Sequence, residues 1–100
     1  MLKLRGMSDL ERNSPPVRLE GKLYAPWSAD VDGQTVVVLI DIEGLAGKTV
    51  IIEQISAALN RHRNLIEQLA SATHKPGDCR VFLDRQELER VMSDAVRSAP

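Results

Sequence analysis

The sequence predicts an α+β fold, in which a small, mostly antiparallel sheet of three to four strands packs on one long helix and a C-terminal helix follows. Three observations predict it. Apolar residues alternate in two stretches of the N-terminal half, they recur at the helical period over about residues 50 to 73, and a helix-capping pattern follows a last apolar run. The 100 residues, 43% hydrophobic and 27% charged, fit one globular domain. The expected order is β-β-β-α-β-α.

The first strand is expected over residues 17 to 24, where valine and leucine alternate with charged side chains. Gly21 indicates a bulge or bend within that strand. Further on, the pair Asp32 and Gly33 is a two-residue hairpin signal. It predicts a short strand before the turn and a strong strand after it.

The strong strand, residues 35 to 42, is apolar on both faces. One face carries Val36, Val38, Ile40 and Ile42, and the other carries Val37 and Leu39. A strand with one face in water alternates with polar residues, so this strand is expected to be central and covered on both faces. The candidates to cover the second face of this strand are the C-terminal helix and a second copy of the chain.

The long helix is expected over about residues 50 to 73, and it ends before Lys75, Pro76 and Gly77. Its apolar stripe comprises Ile52, Ile55, Ala58, Leu59, Leu65, Ile66, Leu69 and Ala70. Its opposite face comprises Glu53, Asn60, Asn64, Glu67, Gln68 and Ser71. This pattern is typical of a helix that packs one face on a core and turns the other to solvent.

A further strand is expected over residues 79 to 83. Asp84 and Glu87 then form a capping box, which begins a second helix over about residues 85 to 96.

The first 16 residues lack periodicity and end in two prolines. We therefore expect residues 1–16 to form a flexible tail, and Met7 is a candidate natural start. Residues 17–97 are expected to form the single domain, and residues 98–100 a frayed end.

The segment GLAGKT, Gly44 to Thr49, lies between a strand and a helix, where a phosphate-binding loop belongs. Such a loop needs a glycine at position 42, and Ile42 stands there. We therefore interpret the segment as a turn in which Thr49 caps the helix, and no nucleotide cofactor is expected.

His62 lies on the apolar stripe, where a histidine packed in the core is more frequent than a catalytic one. His74 is about three turns, roughly 18 Å, further along the helix, so the two cannot share a metal ion. Cys79 opens an apolar strand and is expected in the core. No catalytic group, metal site or cofactor is therefore expected.

Arg61 and Arg63, together with Lys75 and Arg80, can form a local basic patch that binds phosphates. Arg63 also precedes Glu67 by four residues, the spacing of an intrahelical ion pair. The net charge of −1 provides no general attraction for nucleic acid. Nucleic-acid binding is therefore an alternative to the first hypothesis below.

Cellular context follows from composition. Cys79 is the only cysteine, which excludes an internal disulfide and fits a reducing cytoplasm. No apolar run has the length of a membrane span or a signal peptide. A cytoplasmic location is expected, with no membrane partner and no identified small-molecule substrate.

Two stretches, DGQTVVVLIDIEGLAG (32 to 47) and ALNRHRNLIEQLA (58 to 70), resemble a family of small proteobacterial hypothetical proteins, domain of unknown function number one-four-eight-eight. Its members share a DG-x-x-V hairpin and a helix reading roughly F-x-x-x-R-x-x-IE-x-x-A. The residues that align with the helix pattern are Arg63, Ile66, Glu67 and Ala70, whereas Asp41, Gly44 and Leu59 depart from the commoner residues. The resemblance implies a compact α+β protein from the cytoplasm of a Gram-negative bacterium, with no assigned activity or cofactor.

Three hypotheses for function follow. The first is a non-enzymatic module that binds a protein partner or a second copy, because a small core and a doubly apolar strand favour a partner chain. The second is a nucleic-acid-binding regulator, and the third, more remote, is an enzyme that uses His62. The possible interaction surface comprises Val37, Leu39, Arg61, His62, Arg63, Lys75 and Arg80.

Overall fold

A computed structural model describes residues 2–12, 14–43, 52–84 and 86. The elements in chain order are β1 (Lys3–Leu4), β2 (Val17–Leu19), β3 (Lys22–Val31), β4 (Gln34–Asp41), α1 (Ile52–Arg61), α2 (Arg63–Thr73) and β5 (Arg80–Leu83). The predicted α+β class is confirmed. The expected turn at 44–49, with Thr49 as the helix cap, and all but Gln86 of the expected C-terminal helix lie outside the described residues.

The sheet is mixed, with β3 and β4 at its centre. β4 pairs antiparallel with β3 on one side and parallel with β5 on the other. β1 and β2 both pair antiparallel with the outer edge of β3, β2 near its start and β1 near its end. The predicted antiparallel character therefore holds for all these pairings except β4 with β5. That pair is parallel because α1 and α2 carry the chain back along the sheet.

Residues 17 to 24 form a tight hairpin rather than the predicted single strand. Leu19 lies opposite Lys22, and the two residues between them, Glu20 and Gly21, have φ angles of 51° and 79°. Two consecutive positive φ angles are the pattern of a type I′ turn, which matches the twist of its strands. Gly21 therefore turns the chain, and the predicted bulge at this residue is wrong.

The predicted hairpin at Asp32 and Gly33 is present. Both residues have positive φ, 49° and 85°, and Val31 lies opposite Gln34. The strand before this turn, however, has ten residues and is not short as expected.

β3 continues through Pro26, which cannot donate to a neighbouring strand. The Ser28 carbonyl accepts the Arg5 N–H (2.8 Å) at the outer edge of β3, and Pro26, two residues earlier, faces the same edge. This position lies between the residues that pair with β1 and those that pair with β2. The proline therefore removes no strand-to-strand hydrogen bond, and the strand is not interrupted.

Replacing Glu20 by asparagine is expected to raise the free energy of unfolding by roughly 0.5 to 1 kcal/mol, because asparagine tolerates positive φ better than glutamate does. Chemical denaturation of the two proteins measures the change. Glu20→Ala is the matched control, since it removes the same carboxylate without favouring positive φ. An equal gain in the alanine variant would assign the effect to charge and contradict the prediction.

α1 and α2 cover one face of the sheet, which we call the inner face. The predicted apolar stripe is present, with Ile55, Leu59, Ile66 and Ala70 buried. The buried inner-face residues of β3, β4 and β5 are Ala25, Trp27, Ala29, Val36, Val38, Ile40, Val81 and Leu83. None of the described helices is both long and apolar enough to cross a membrane.

The predicted long helix is divided in two at His62. The backbone of His62 has φ −103° and ψ 23°, outside the helical range. Its N–H nevertheless donates to the Ala58 carbonyl (3.1 Å), and its carbonyl accepts the Ile66 N–H (3.0 Å). The hydrogen bonding therefore continues through the break, and one inward face runs along both helices.

The N-terminal residues are part of the fold. Residues 2–10, which we call the arm, bury Leu2, Leu4 and Leu10 in the core, each with at most 4% of its surface exposed. β1, within the arm, pairs with β3. The predicted flexible tail at 1–16 is therefore wrong for the arm. Its apolar residues are too few and too unevenly spaced to form a period in the sequence.

Candidate functional site

A row of polar side chains on α1 and α2 binds the backbone of the arm. We call this row the polar stripe; it comprises Ser56, Asn60, Arg63, Glu67 and Ser71. These residues are three or four positions apart, so they lie on one side of the two helices. The arm runs along them as an extended segment.

Asn60 holds the middle of the arm by both groups of its amide. Its Oδ1 accepts the Ser8 N–H (2.7 Å) and its Nδ2 donates to the Ser8 carbonyl (3.0 Å). On either side, the Ser56 hydroxyl accepts the Leu10 N–H (3.0 Å) and the Ser71 hydroxyl donates to the Leu2 carbonyl (3.4 Å). These bonds satisfy backbone groups that would otherwise be left without partners beside the core.

Arg63 is the centre of the polar stripe. Its guanidinium donates to the carbonyls of Leu4 and Gly6 and lies over the ring of Trp27, with Cζ 5.8 Å from the ring centroid. Glu67 Oε2 accepts the Leu4 N–H (3.0 Å), so Arg63 and Glu67 bind both backbone groups of one residue. The arrangement combines charge-assisted hydrogen bonds with a cation–π contact.

The polar stripe does not have the surroundings predicted for its side chains. Asn60, Glu67 and Ser71 were expected to face solvent, and Arg63 was expected in a phosphate-binding patch or in an ion pair with Glu67. Arg63 and Glu67 instead reach the arm side by side. The spacing of the polar stripe is visible in the sequence, but nothing there shows that a segment more than 40 residues away binds it.

The predicted basic patch is not assembled as one surface. Arg63 binds the arm on the helical side of the sheet, whereas Arg80 alternates with the inward-facing Val81 and lies on the opposite side. Arg61 and Lys75 are exposed. His62 is half-buried at the break between α1 and α2.

The face of the sheet opposite α1 and α2, the outer face, carries a second cluster of apolar side chains. Leu39 is buried there between its register neighbours Pro26 and Phe82, while Val37 is half-buried. Phe82 is 48% exposed and meets the Tyr24 ring edge-on, with centroids 5.6 Å apart at 75°. Leu39 is thus buried, and among the described residues the exposed large apolar side chain of this face is Phe82, which sequence reasoning missed.

Two open grooves flank Phe82. One, of about 430 Å³, is lined by Leu19, Glu20, Tyr24, Arg80 and Phe82. The other, of about 330 Å³, is lined by Lys22, Tyr24, Asp41, Thr73, Phe82, Leu83 and Asp84. Both are shallow and lie on the outer face or at its edge.

The described residues contain no group of three or more histidine, cysteine, aspartate or glutamate side chains that could hold a metal ion. Cys79 is exposed, contrary to the expectation that it lies in the core. The residue directly precedes β5, and its carbonyl accepts the Val37 N–H (3.0 Å). The Asp84 carboxylate accepts the Gln86 N–H (2.9 Å), which is the contact of a helix N-cap.

Arg5 and Asp30 form an exposed ion pair between the arm and β3. The hydrogen bond from the Arg5 guanidinium lowers the pKa of Asp30 below its usual range. A lowered carboxylate pKa stabilises the fold above the ordinary pKa of aspartate and is lost as the pH falls through the lowered value. Because both side chains are exposed, this contribution is small.

Comparison with protein-family models, with curated proteins and with solved structures finds no match to this chain.

Proposed function

We propose that this chain is a non-enzymatic interaction module that self-associates through the outer face of its sheet. The observation that carries the proposal is Phe82, an aromatic side chain half exposed on a strand at the edge of the described sheet. Aromatic residues in such positions are the side chains that most often dominate protein interfaces. Tyr24 holds the Phe82 ring in place and thereby reduces the entropy that binding would cost.

The charges beside Phe82 favour a second copy as the partner. Glu20 and Arg80 line the same groove with opposite signs, and neither forms an ion pair within the described part of the chain. In a two-fold symmetric dimer each contact occurs twice: residue i of the first copy meets residue j of the second, and residue j of the first meets residue i of the second. Arg80 of each copy can therefore pair with Glu20 of the other while the two Phe82 rings pack together.

The other two hypotheses have less support. Arg63, the centre of the expected phosphate-binding patch, donates to the carbonyls of the arm and is occupied there. His62 lies half-buried at a helix break, and Phe82, not His62, lines the grooves. No observation favours nucleic-acid binding or catalysis over self-association.

We also propose membership of the domain family that the helix pattern resembles. The four aligned residues have structural roles in this chain: Ile66 and Ala70 are fully buried, and Arg63 and Glu67 hold the arm. A pattern made of core and arm-binding residues is what a family with a shared scaffold would have.

Replacing Phe82 by serine is expected to weaken self-association about 10-fold or more, because a central aromatic contact is lost. Sedimentation equilibrium over a range of concentrations measures the dimer dissociation constant. Met7→Ser is the matched control: Met7 is, in the described part of the chain, the other exposed large apolar residue, 73% exposed, and it lies on the arm. Its replacement should leave the dissociation constant unchanged.

Charge reversal tests the same interface without removing apolar surface. Arg80→Glu and Glu20→Arg should each weaken the dimer, and the two together should restore it. A wild-type chain that stays monomeric at millimolar concentration would contradict the proposal. So would a Phe82→Ser variant that, at a concentration where the wild-type chain is monomeric, loses as much unfolding free energy as a core variant, about 2 to 5 kcal/mol, since the outer face would then be covered within one chain.

A further inference from the structure

We propose that the arm exchanges between two copies of the chain, so that the groove formed by the polar stripe and the outer edge of β3 is a binding site for the arm of a second molecule. This inference does not rest on the outer-face interface, which lies on the other side of the sheet. The partner it names is residues 2–10 of an identical chain.

The contacts of the arm are of a kind that a second copy can supply. The polar stripe binds backbone groups of Leu2, Leu4, Gly6, Ser8 and Leu10, and the three leucines fill the core. All these partners belong to the helices and the sheet. An arm from another molecule therefore makes the same hydrogen bonds and buries the same side chains, which is the condition for exchange of an identical element at low cost.

The sheet adds few bonds to this attachment. β1 pairs with β3 over two residue pairs only, Lys3 with Asp30 and Leu4 with Ala29. One more backbone bond, from the Arg5 N–H to the Ser28 carbonyl, extends the pairing. Release of the arm therefore breaks few strand-to-strand hydrogen bonds, and its main cost is that the three leucines leave the core.

The connection between the arm and β2 favours an extended, open form. Pro15 and Pro16 fix their own φ angles, and each disfavours the helical region in the residue before it. In the closed chain, the backbone carbonyl of Asp9 accepts the Ser14 N–H (2.8 Å), and its carboxylate accepts the Arg12 N–H (3.2 Å). When the arm leaves the core, these local hydrogen bonds break. The segment between the arm and β2 can then extend at about 3 Å per residue.

A defect in the docked arm promotes its release. Ser8 is 5% exposed, and its buried hydroxyl oxygen has no hydrogen-bond partner among the described residues, although both of its backbone groups are bound by Asn60. A buried polar atom without a partner destabilises the state that buries it. The buried hydroxyl therefore offsets part of the stability that the three leucines give to the docked arm. Ser8→Ala should stabilise the docked arm and so slow the exchange.

The test uses full-length chains with one cysteine each, in a Cys79→Ser background. One variant carries Lys3→Cys and the other carries Asp30→Cys. These positions are direct register partners, and antiparallel partners lie within the distance that a disulfide spans. Asp30→Cys removes only the exposed ion pair with Arg5, which contributes little to stability.

When the two variants are mixed at high concentration and oxidised slowly, we expect a covalent heterodimer joined through positions 3 and 30, identified by non-reducing electrophoresis and mass spectrometry. Asp32→Cys replaces Asp30→Cys in the control mixture, because Asp32 lies in the neighbouring turn and outside the register of the arm. The control should give only the collisional background. The double variant Lys3→Cys with Asp30→Cys should form an intrachain disulfide when dilute.

Three results would overturn the proposal. The first is a heterodimer yield no higher than that of the Asp32→Cys control at every concentration. The second is failure of the dilute double variant to form its intrachain bond, since the register would then be wrong. The third is loss of the heterodimer when both chains carry Phe82→Ser, which would assign the crosslink to the outer-face dimer. An unchanged yield in that variant supports exchange whether or not the outer face self-associates.

Discussion

Arg63→Ala is expected to lower the free energy of unfolding by about 2 to 3 kcal/mol. The change removes two charge-assisted hydrogen bonds to the carbonyls of Leu4 and Gly6, together with the contact to the Trp27 ring. It also removes the hydrogen-bond donor of the Leu4 and Gly6 carbonyls. For a domain of this size, the loss corresponds to a fall in melting temperature of roughly 10 to 20 °C. Urea denaturation and calorimetry measure the two quantities.

Arg61→Ala is the matched control for this prediction. Arg61 is the same residue type two positions earlier, and it is exposed at the end of α1. Its replacement should change stability by less than about 0.5 kcal/mol. Arg63→Lys should recover only part of the loss, because a lysine ammonium does not match the planar geometry of a guanidinium that holds two acceptors. Equal effects at positions 61 and 63 would show that Arg63 does not hold the arm.

Leu4→Ala is expected to lower the free energy of unfolding by about 3 kcal/mol, because it leaves a cavity beneath β1 that the surrounding strands fill only in part. Equilibrium denaturation gives the value. A chain that begins at Met7 lacks Leu2, Leu4 and β1. We expect this truncation to lower the free energy of unfolding by about 5 kcal/mol or more, which approaches the whole stability of a small domain. Such a chain is expected to be largely unfolded by circular dichroism.

Met7→Ala is the control within the arm. Met7 lies three residues from Leu4 but is 73% exposed, so its replacement should leave stability within about 0.5 kcal/mol of the wild type. If the Leu4 and Met7 variants are equally stable, the arm is the flexible tail that its sequence suggests. A large loss at Leu4 alone establishes the arm as part of the core.

Local signals in the sequence predicted the parts of the fold that depend on neighbouring residues. The turn at Asp32 and Gly33 is encoded by those two residues, and the inward stripe of α1 and α2 by the helical period. Gly21 was misread because two short strands with a turn between them show the same alternation as one strand with a bend. The break at His62 leaves the hydrogen-bond pattern and the apolar period intact, so the period gave no sign of it.

The candidate sites depended on contacts between distant residues, which a single sequence does not show. Arg63 was recognised as a notable residue, but its partners lie 57 and 59 positions earlier in the chain. Phe82 was assigned to a strand, but not to a face of the sheet. Which face α1 and α2 cover depends on how these helices pack, and the sequence does not show this. Val37 and Leu39 were placed on the correct strand face, yet Leu39 is buried and Phe82 on the neighbouring strand is exposed.

The attachment of the arm also determines when this chain can finish folding during synthesis. The arm leaves the ribosome before the helices that bind it, and Ser71, which binds Leu2, is added 69 residues later. Contacts between residues so far apart in the chain form slowly, since a long loop must close before they stabilise anything. Until α2 has emerged, three leucines of the arm have no core to enter. The arm is therefore made before the helices but reaches its final position after them.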